Sequence, residues 1–423
     1  MKIPHKQSIV LAFAALLAAI ACGAAQAAAP SLPQYLVVSL GNPNGGTVSQ
    51  GTGITDNGLI SGYSALPNGA LNAEVWVYGF PVNLGTLGGA GNPTLNSAVA
   101  WPNHNNHGVV VGISETTDVN PLNEKWSCAL AVFGDAVGVG QHDCVGFVWK
   151  GGVMTPLPTL GGYDGFATSV NDEGEIVGWA ETTLHDPSCN ANGQVLQFEA
   201  VMWVKDGGHY VARALPGAKG DPDGSATAIN QWGQVVGISG GCGGAIGGAT
   251  GKDMVMWEDG HVARTLPTFG GSFWNTPMDI NARGDVVGFS DYPGDGPTFA
   301  GVTFHAFFWS QRPFVCHPGE APMTGTCDLE PTGSPTNAPL SEALGVNVED
   351  QVVGASFVTG HAFIWQAGVQ TDLNKCIASN SASLVLTDAQ EINDAGVITG
   401  QAQDPSGTLV AFVAIPVGGV CQP

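Results

Sequence analysis

The chain has 423 residues, of which 11% are charged and 62 are glycine, and its formal net charge is −23. Such a surface repels nucleic acid and anionic lipid, which excludes partners held by their phosphates. So few charged positions also exclude long surface helices and suit a turn-rich β protein.

Residues 1–27 read as a signal peptide outside the fold. Lys2 and Lys6 make a charged start, Ile9 to Ala21 is an apolar run too short to span a bilayer, and Ala25 to Ala27 is a small-residue cleavage site. The alternative is a lipoprotein anchored through Cys22, where "AIAC" loosely resembles a lipobox, with Ala19 in place of the usual larger aliphatic. No later apolar stretch is long enough for a membrane helix. The mature chain, 28–423, is expected to be a single domain, secreted, periplasmic or at the cell surface. Without Cys22, eight cysteines remain, an even number suited to an oxidising compartment.

The first mature strand is "YLVVSLG", Tyr35 to Gly41. After it a nine-residue phrase recurs, as "VNDEGEIVG", "INQWGQVVG", "INARGDVVG" and "INDAGVITG". Its last residue is Gly62, Gly112, Gly178, Gly237, Gly288, Gly354 or Gly400. Seven positions earlier stands Asn105, Asn171, Asn230, Asn281, Asn347 or Asn393, with Thr55 in the first copy. Four positions before the end stands Gly58, Gly108, Gly174, Gly233, Gly284 or Gly396, with Asp350 in the sixth. Asp tolerates positive φ better than most residues, so this position needs left-handed backbone in a tight turn. The Asn side chain can bond its own backbone at the turn start. The closing Gly allows close backbone approach.

β-branched pairs such as Val110–Val111 and Val286–Val287 follow the turn, and adjacent apolar residues require both sheet faces to be buried. A second signature ends at Trp76, Trp149, Trp203, Trp257, Trp309 or Trp365, with Ala414 in the last copy. A third segment is clearest in "VNLGTLGG" and "TPLPTLGG", and a short strand precedes each phrase, giving strands a to d per unit. One such sheet cannot bury both faces, but seven in a ring can. The seventh copy lacks strand d, and Tyr35–Gly41 is spare. The expected fold is therefore all-β: a seven-bladed β-propeller of four-stranded antiparallel blades, closed by the N-terminal strand in the last blade. An open β-solenoid is the alternative, disfavoured by spacings that vary from 46 to 66 residues.

These residues resemble the HAF-repeat family of extracellular bacterial proteins, through "HAF" at His305–Phe307 and His361–Phe363, "DLNKC" at Asp372 and "AQEINDAG" near the end. The likeness runs from Tyr35 to Pro416. It implies secretion and repetition but no established reaction.

In a propeller the b–c and d–a loops share one face. Here the b–c loops are long in copies two (Glu115–Cys144), three (Glu181–Phe198), four (Gly240–Lys252) and five (Asp291–Phe304). Long loops on a rigid scaffold are where binding residues concentrate, although neutral insertion would also produce them. Locality pairs the cysteines as Cys128–Cys144, Cys189–Cys242, Cys316–Cys327 and Cys376–Cys421. Zinc is disfavoured because no close Cys pair occurs.

"GISGG" matches the GxSxG nucleophile pattern, but no helix follows, so Ser239 reads as structural. "HNNH" (His104–His107) has metal-like spacing without a third ligand nearby, so turn chemistry accounts for it better. His305 and His361 recur at the start of strand c and point to a shared hydrogen bond. Asp221 and Asp223 lie in a d–a loop and Asp291 and Asp295 in a b–c loop, all on the long-loop face. They are the candidate ligand-binding residues, and oxygen-rich loops of this kind can hold calcium, the one cofactor considered, although solvated turns explain them as well.

Three functions remain open. One is a binding propeller for a glycan or an extracellular protein, expected as a monomer. The second is an enzyme on exported polysaccharide that uses paired carboxylates, favoured by an acidic pocket at the ring centre. The third is a surface structural protein without a discrete ligand. The sequence leans away from the enzyme.

Overall fold

The structure, a computed structural model, describes residues 31–421 apart from 89–93, 125–141, 190–192, 243–250, 295–302 and 332–340. The proposed signal peptide, Cys22, Cys128 and Asp295 lie outside the described residues.

Seven four-stranded antiparallel sheets form a ring, a seven-bladed β-propeller. The blades are 49–85, 97–156, 161–214, 223–266, 276–328, 341–372 and 385–420, the last completed by Pro33–Gly41. That N-terminal strand pairs with Leu409–Val420, bringing Tyr35 opposite Pro416 and Val37 opposite Ala414. Ala414 stands where six blades carry Trp. Tyr35 and Val37, both fully buried, share its core cluster with Leu373 and Phe412. The Cys376–Cys421 disulfide and a bond from Cys421 N to Leu32 O (2.8 Å) fasten the same end.

The repeated phrase is the a–b hairpin of each blade. At its left-handed position the six glycines have φ of +71 to +83°, and Asp350 stands at +57°, as the Gly-to-Asp exchange predicts. Asn230 Oδ1 caps the turn by accepting from Trp232 N and Gln234 N (3.0 and 3.1 Å). Its amide does something the sequence did not reveal. Nδ2 of Asn105, Asn171, Asn230, Asn281, Asn347 and Asn393 each donates to the backbone carbonyl of the matching residue in the next blade, at 2.7–3.2 Å. Thr55 has no amide to give. In blade one Asn57 Nδ2 reaches Asn106 O instead, at 2.7 Å.

The closing Gly answers a bulge in the neighbouring strand a. A Cβ on Gly288 would lie 1.9 Å from Thr276 O, and one on Gly178 would lie 1.9 Å from Phe166 O. The register shifts at the same place, between Pro277 and Asp279 and between Ala167 and Ser169. A bulge strengthens the local twist, and only Gly leaves room for the carbonyl it displaces.

The core lies between blades. Trp257 packs with Val177 and Ala200 of the blade before it, and Trp365 packs with Val287 and Phe308. Trp203 and Trp257 Nε1 donate to Pro158 O and Pro216 O at 2.7 and 2.8 Å. Cys189–Cys242 and Cys316–Cys327 form as the sequence suggests. Cys144 is also disulfide-bonded. No helix among the described residues is long and apolar enough to cross a membrane.

Candidate functional site

Asp221 and Asp223 come together on the looped face, in the connection between blades three and four. Lys219, with φ of +55°, and a short 3-10 turn at Ala218–Gly220 fold this loop back. Ser239 holds it from below. Its hydroxyl donates to Asp221 Oδ2 (3.0 Å) and accepts from Ala218 N (2.9 Å), and it is fully buried. The GxSxG serine is therefore structural cement.

Asp223 is buried and accepts from Phe198 N at 3.1 Å. Burial, then a hydrogen bond with the Asp186 carboxyl, pushes its pKa up to about 8. Burial also raises Glu199. Gln197, Glu199, Asp221, Asp223 and Trp257 line a hollow of about 170 Å³. The sulfurs of Cys189 and Cys242 lie against Asp223, so the bridge between the third and fourth b–c loops braces the wall of this pocket. Asp291 goes elsewhere. It is fully buried in blade five, where Oδ2 accepts from Phe273 N (3.2 Å) and its carbonyl accepts from Gly271 N (2.9 Å).

The ring centre also holds acids, on the opposite, hairpin-turn face. The residue before the phrase's Asn is apolar in six blades (Ile54, Val170, Ile229, Ile280, Val346, Ile392) and histidine in one, His104. The residue before that is small in four blades, Asn103 in blade two, and acidic in two, Asp279 and Glu391. These departures from the repeat meet on the axis. His104 Nε2 lies 2.9 Å from Asp279 Oδ1, and His104, Asp279 and Glu391 each offer an atom within 4.8 Å of the others. No third ligand lies near "HNNH" along the chain, but the fold supplies two acids from blades five and seven. His107 is exposed and separate.

Burial opposes a charge on His104, but Asp279, with Asp56 and Asp394, outweighs it and raises the imidazole's pKa. Glu391 accepts from Ile392 N through Oε1 (2.8 Å), and its buried Oε2 has no partner among the described residues. Burial holds this carboxyl well above the usual range. The axial cavity measures about 60 Å³. A water needs about 10–15 Å³ in this measure, so the pit has room for a few waters or an ion. A larger open cleft of about 540 Å³ lies on the rim between blades two and three, beside Lys150, Lys205 and Tyr210. It contains none of the residues singled out from the sequence.

His305 and His361 each place Nδ1 2.8 Å from the strand-d aspartate of their own blade, Asp328 and Asp372. This is the shared hydrogen bond expected of a repeated position.

No protein-family model and no curated protein matches the chain. Several solved structures do. The β-propeller domain of the Trilobed protease from Pyrococcus furiosus is 9% identical, with a TM-score of 0.39, covering 77% of this chain and 84% of that one. A PL25 ulvan lyase is 10% identical, with a TM-score of 0.40, covering 92% and 96%. The gluconolactonase XC5397 from Xanthomonas campestris is 9% identical, with a TM-score of 0.37, covering 92% and 98%. At these values the likeness carries no functional argument.

Proposed function

We propose that the protein is an exported, disulfide-braced binding propeller that takes a neutral glycan on its looped face. The observation that supports this is the pocket joining Asp221, Asp223 and Glu199 behind the Cys189–Cys242 bridge. The Asp223 carboxyl, which holds its proton up to about pH 8, can donate a hydrogen bond while carboxyl oxygens of Asp221 and Glu199 accept them, which suits the paired hydroxyls of a sugar. The acidic surface disfavours uronates and sulfated chains. At about 170 Å³ the hollow is one subsite, seating a single sugar ring while the rest of the chain lies along the loops. The disulfides fit an oxidising, extracytoplasmic location. Membership of the HAF-repeat family, resting on His305–Phe307 and His361–Phe363, is part of this proposal.

A screen of neutral and anionic polysaccharides and of extracellular proteins tests it. Binding to a neutral glycan, weakened at least tenfold in Asp221→Asn, whose amide oxygen can still accept from Ser239, and in Glu199→Ala, at unchanged melting temperature, is the expected result. A protein ligand alone, or binding unaffected by both substitutions, overturns it.

A second reading is favoured by Asp223 itself. A carboxyl that keeps its proton to about pH 8 beside Asp221 has the makings of a general acid and its partner base. Release of new reducing ends from the bound glycan, lost in Asp223→Asn, would make the protein a carboxylate-dependent enzyme.

A further inference from the structure

On the looped face, where blades two and three meet, lies a second acidic group that the glycan pocket does not use. Glu124 comes from the long b–c loop of blade two, and Asp164 and Glu181 from the inner strands of blade three. They are 1%, 0% and 0% exposed. Each offers a carboxylate oxygen within 4.8 Å of the other two. Three acids this close in a dry site would be costly without a positive charge among them. Among the described residues, no Lys or Arg pairs with Glu124 or Glu181.

The surrounding bonds fix the group in place. Glu124 Oε1 accepts from Val195 N and Leu196 N, both at 2.8 Å. Glu181 Oε2 accepts from Tyr163 N and Asp164 N at 3.0 and 2.9 Å. Asp164 takes Cys144 N (2.7 Å) and Asn120 Nδ2 (3.2 Å). Two oxygens are left over. Among the described residues, Glu124 Oε2 is buried with no partner, and so is Gln194 Oε1. Gln194 is 3% exposed, and its Nε2 donates to Glu181 Oε1 at 2.8 Å and to Leu196 O at 2.7 Å, which ties this amide to the group.

We propose that Glu124, Asp164 and Glu181, with the Gln194 carbonyl, form a calcium site that ties the long loops of blades two and three together. Calcium–oxygen distances of about 2.3–2.6 Å put opposite ligands at most about 5 Å apart, which matches the observed spread. The donors are all oxygen, so zinc and copper are poorly served. Magnesium keeps several waters, and a site this buried favours the ion that takes more protein oxygens. The site is separate from the glycan pocket and stands or falls without it.

The test uses the full mature protein, stripped with EDTA and titrated with calcium or magnesium chloride by calorimetry, with thermal melts in parallel. The expected result is calcium binding at submillimolar concentration, weaker magnesium binding, and a calcium-dependent rise in melting temperature. Glu124→Gln should weaken calcium binding at least tenfold while remaining folded, because its amide oxygen can still accept from Val195 N. Gln194→Met, which keeps the volume and removes the carbonyl, should weaken it severalfold. Asp404→Asn, at an exposed turn of blade seven, should bind as the parent does. No calcium heat and no melting shift in the folded parent protein overturns the proposal. So does undiminished binding in Glu124→Gln, which would place any calcium elsewhere.

Discussion

Asn393 Nδ2 donates to Thr55 O at 3.0 Å, across 338 residues of sequence, and so joins the last blade's hairpin to the first. Five equivalent bonds run round the ring, and only the step from blade one to blade two uses a different residue. One side chain thus caps its own turn and fastens the neighbouring blade. This is why the Asn recurs where a turn alone would accept Asp or Ser.

Asn393→Ala should lose both roles and cost about 1–3 kcal/mol in urea unfolding. Thr55→Asn should extend the ring, because Thr55 already has the same turn geometry, with Gly58 N bonded to its carbonyl at 2.9 Å. The expected gain is about 0.5–1.5 kcal/mol. An unchanged midpoint would mean that the Asn57–Asn106 bond already does the work of the missing link.

The N-terminal strand should behave as a latch. Deleting Tyr35–Gly41 strips strand d from the last blade, and a large fall in melting temperature is expected. Tyr35→Ala should cost about 3–5 kcal/mol, as large aromatic truncations in cores do. Tyr35→Phe separates packing from polarity. Among the described residues the buried Tyr35 hydroxyl has no partner, so its removal should leave stability unchanged or raise it by about 1 kcal/mol. A loss comparable to that of the alanine variant would count against this account.

Gly288→Ala tests the bulge. Its Cβ would meet Thr276 O at 1.9 Å, a backbone atom with little freedom to move. A loss of about 1–3 kcal/mol or more is expected in chemical unfolding. Gly418→Ala, where no atom lies within 4 Å of the new Cβ, should be close to neutral.

Thermal stability should fall as pH rises from about 4 to 8 in calcium-free buffer. Burial, the leading cause in each case, raises Asp223 from 3.8 to about 8, and Glu74, Glu181 and Glu342 from 4.5 to about 7. The folded state then holds more protons than the unfolded chain between those limits, so stability is greatest below the unfolded pKa values and is lost as pH climbs through the folded ones. His104 acts in the same sense, because its folded pKa is also raised. Melting curves at pH 5, 6, 7 and 8 check this. A midpoint that rises over the range would contradict it.

The sequence alone determined the architecture, because a repeat must satisfy the same local physics seven times. The left-handed turn at Gly58 and Asp350, the close approach at Gly288, the Trp series and the missing last strand each have one physical cause that a single sequence exposes. Cysteine pairing was legible where the partners lie in neighbouring loops. The tertiary structure alone decided which unlike residues meet. His104, Asp279 and Glu391 belong to three separate blades, and nothing in their spacing says that they share an axis. Asp221 and Asp223 were singled out as a pair, but their link to Glu199 and Asp186 depends on strands folded beside them. Glu124, Asp164 and Glu181 lie far apart along the chain and meet for the same reason. Hydrogen bonds within a turn are written in neighbouring residues. A site assembled across blades is set by the curvature of the whole ring, so it becomes visible only once the ring is closed.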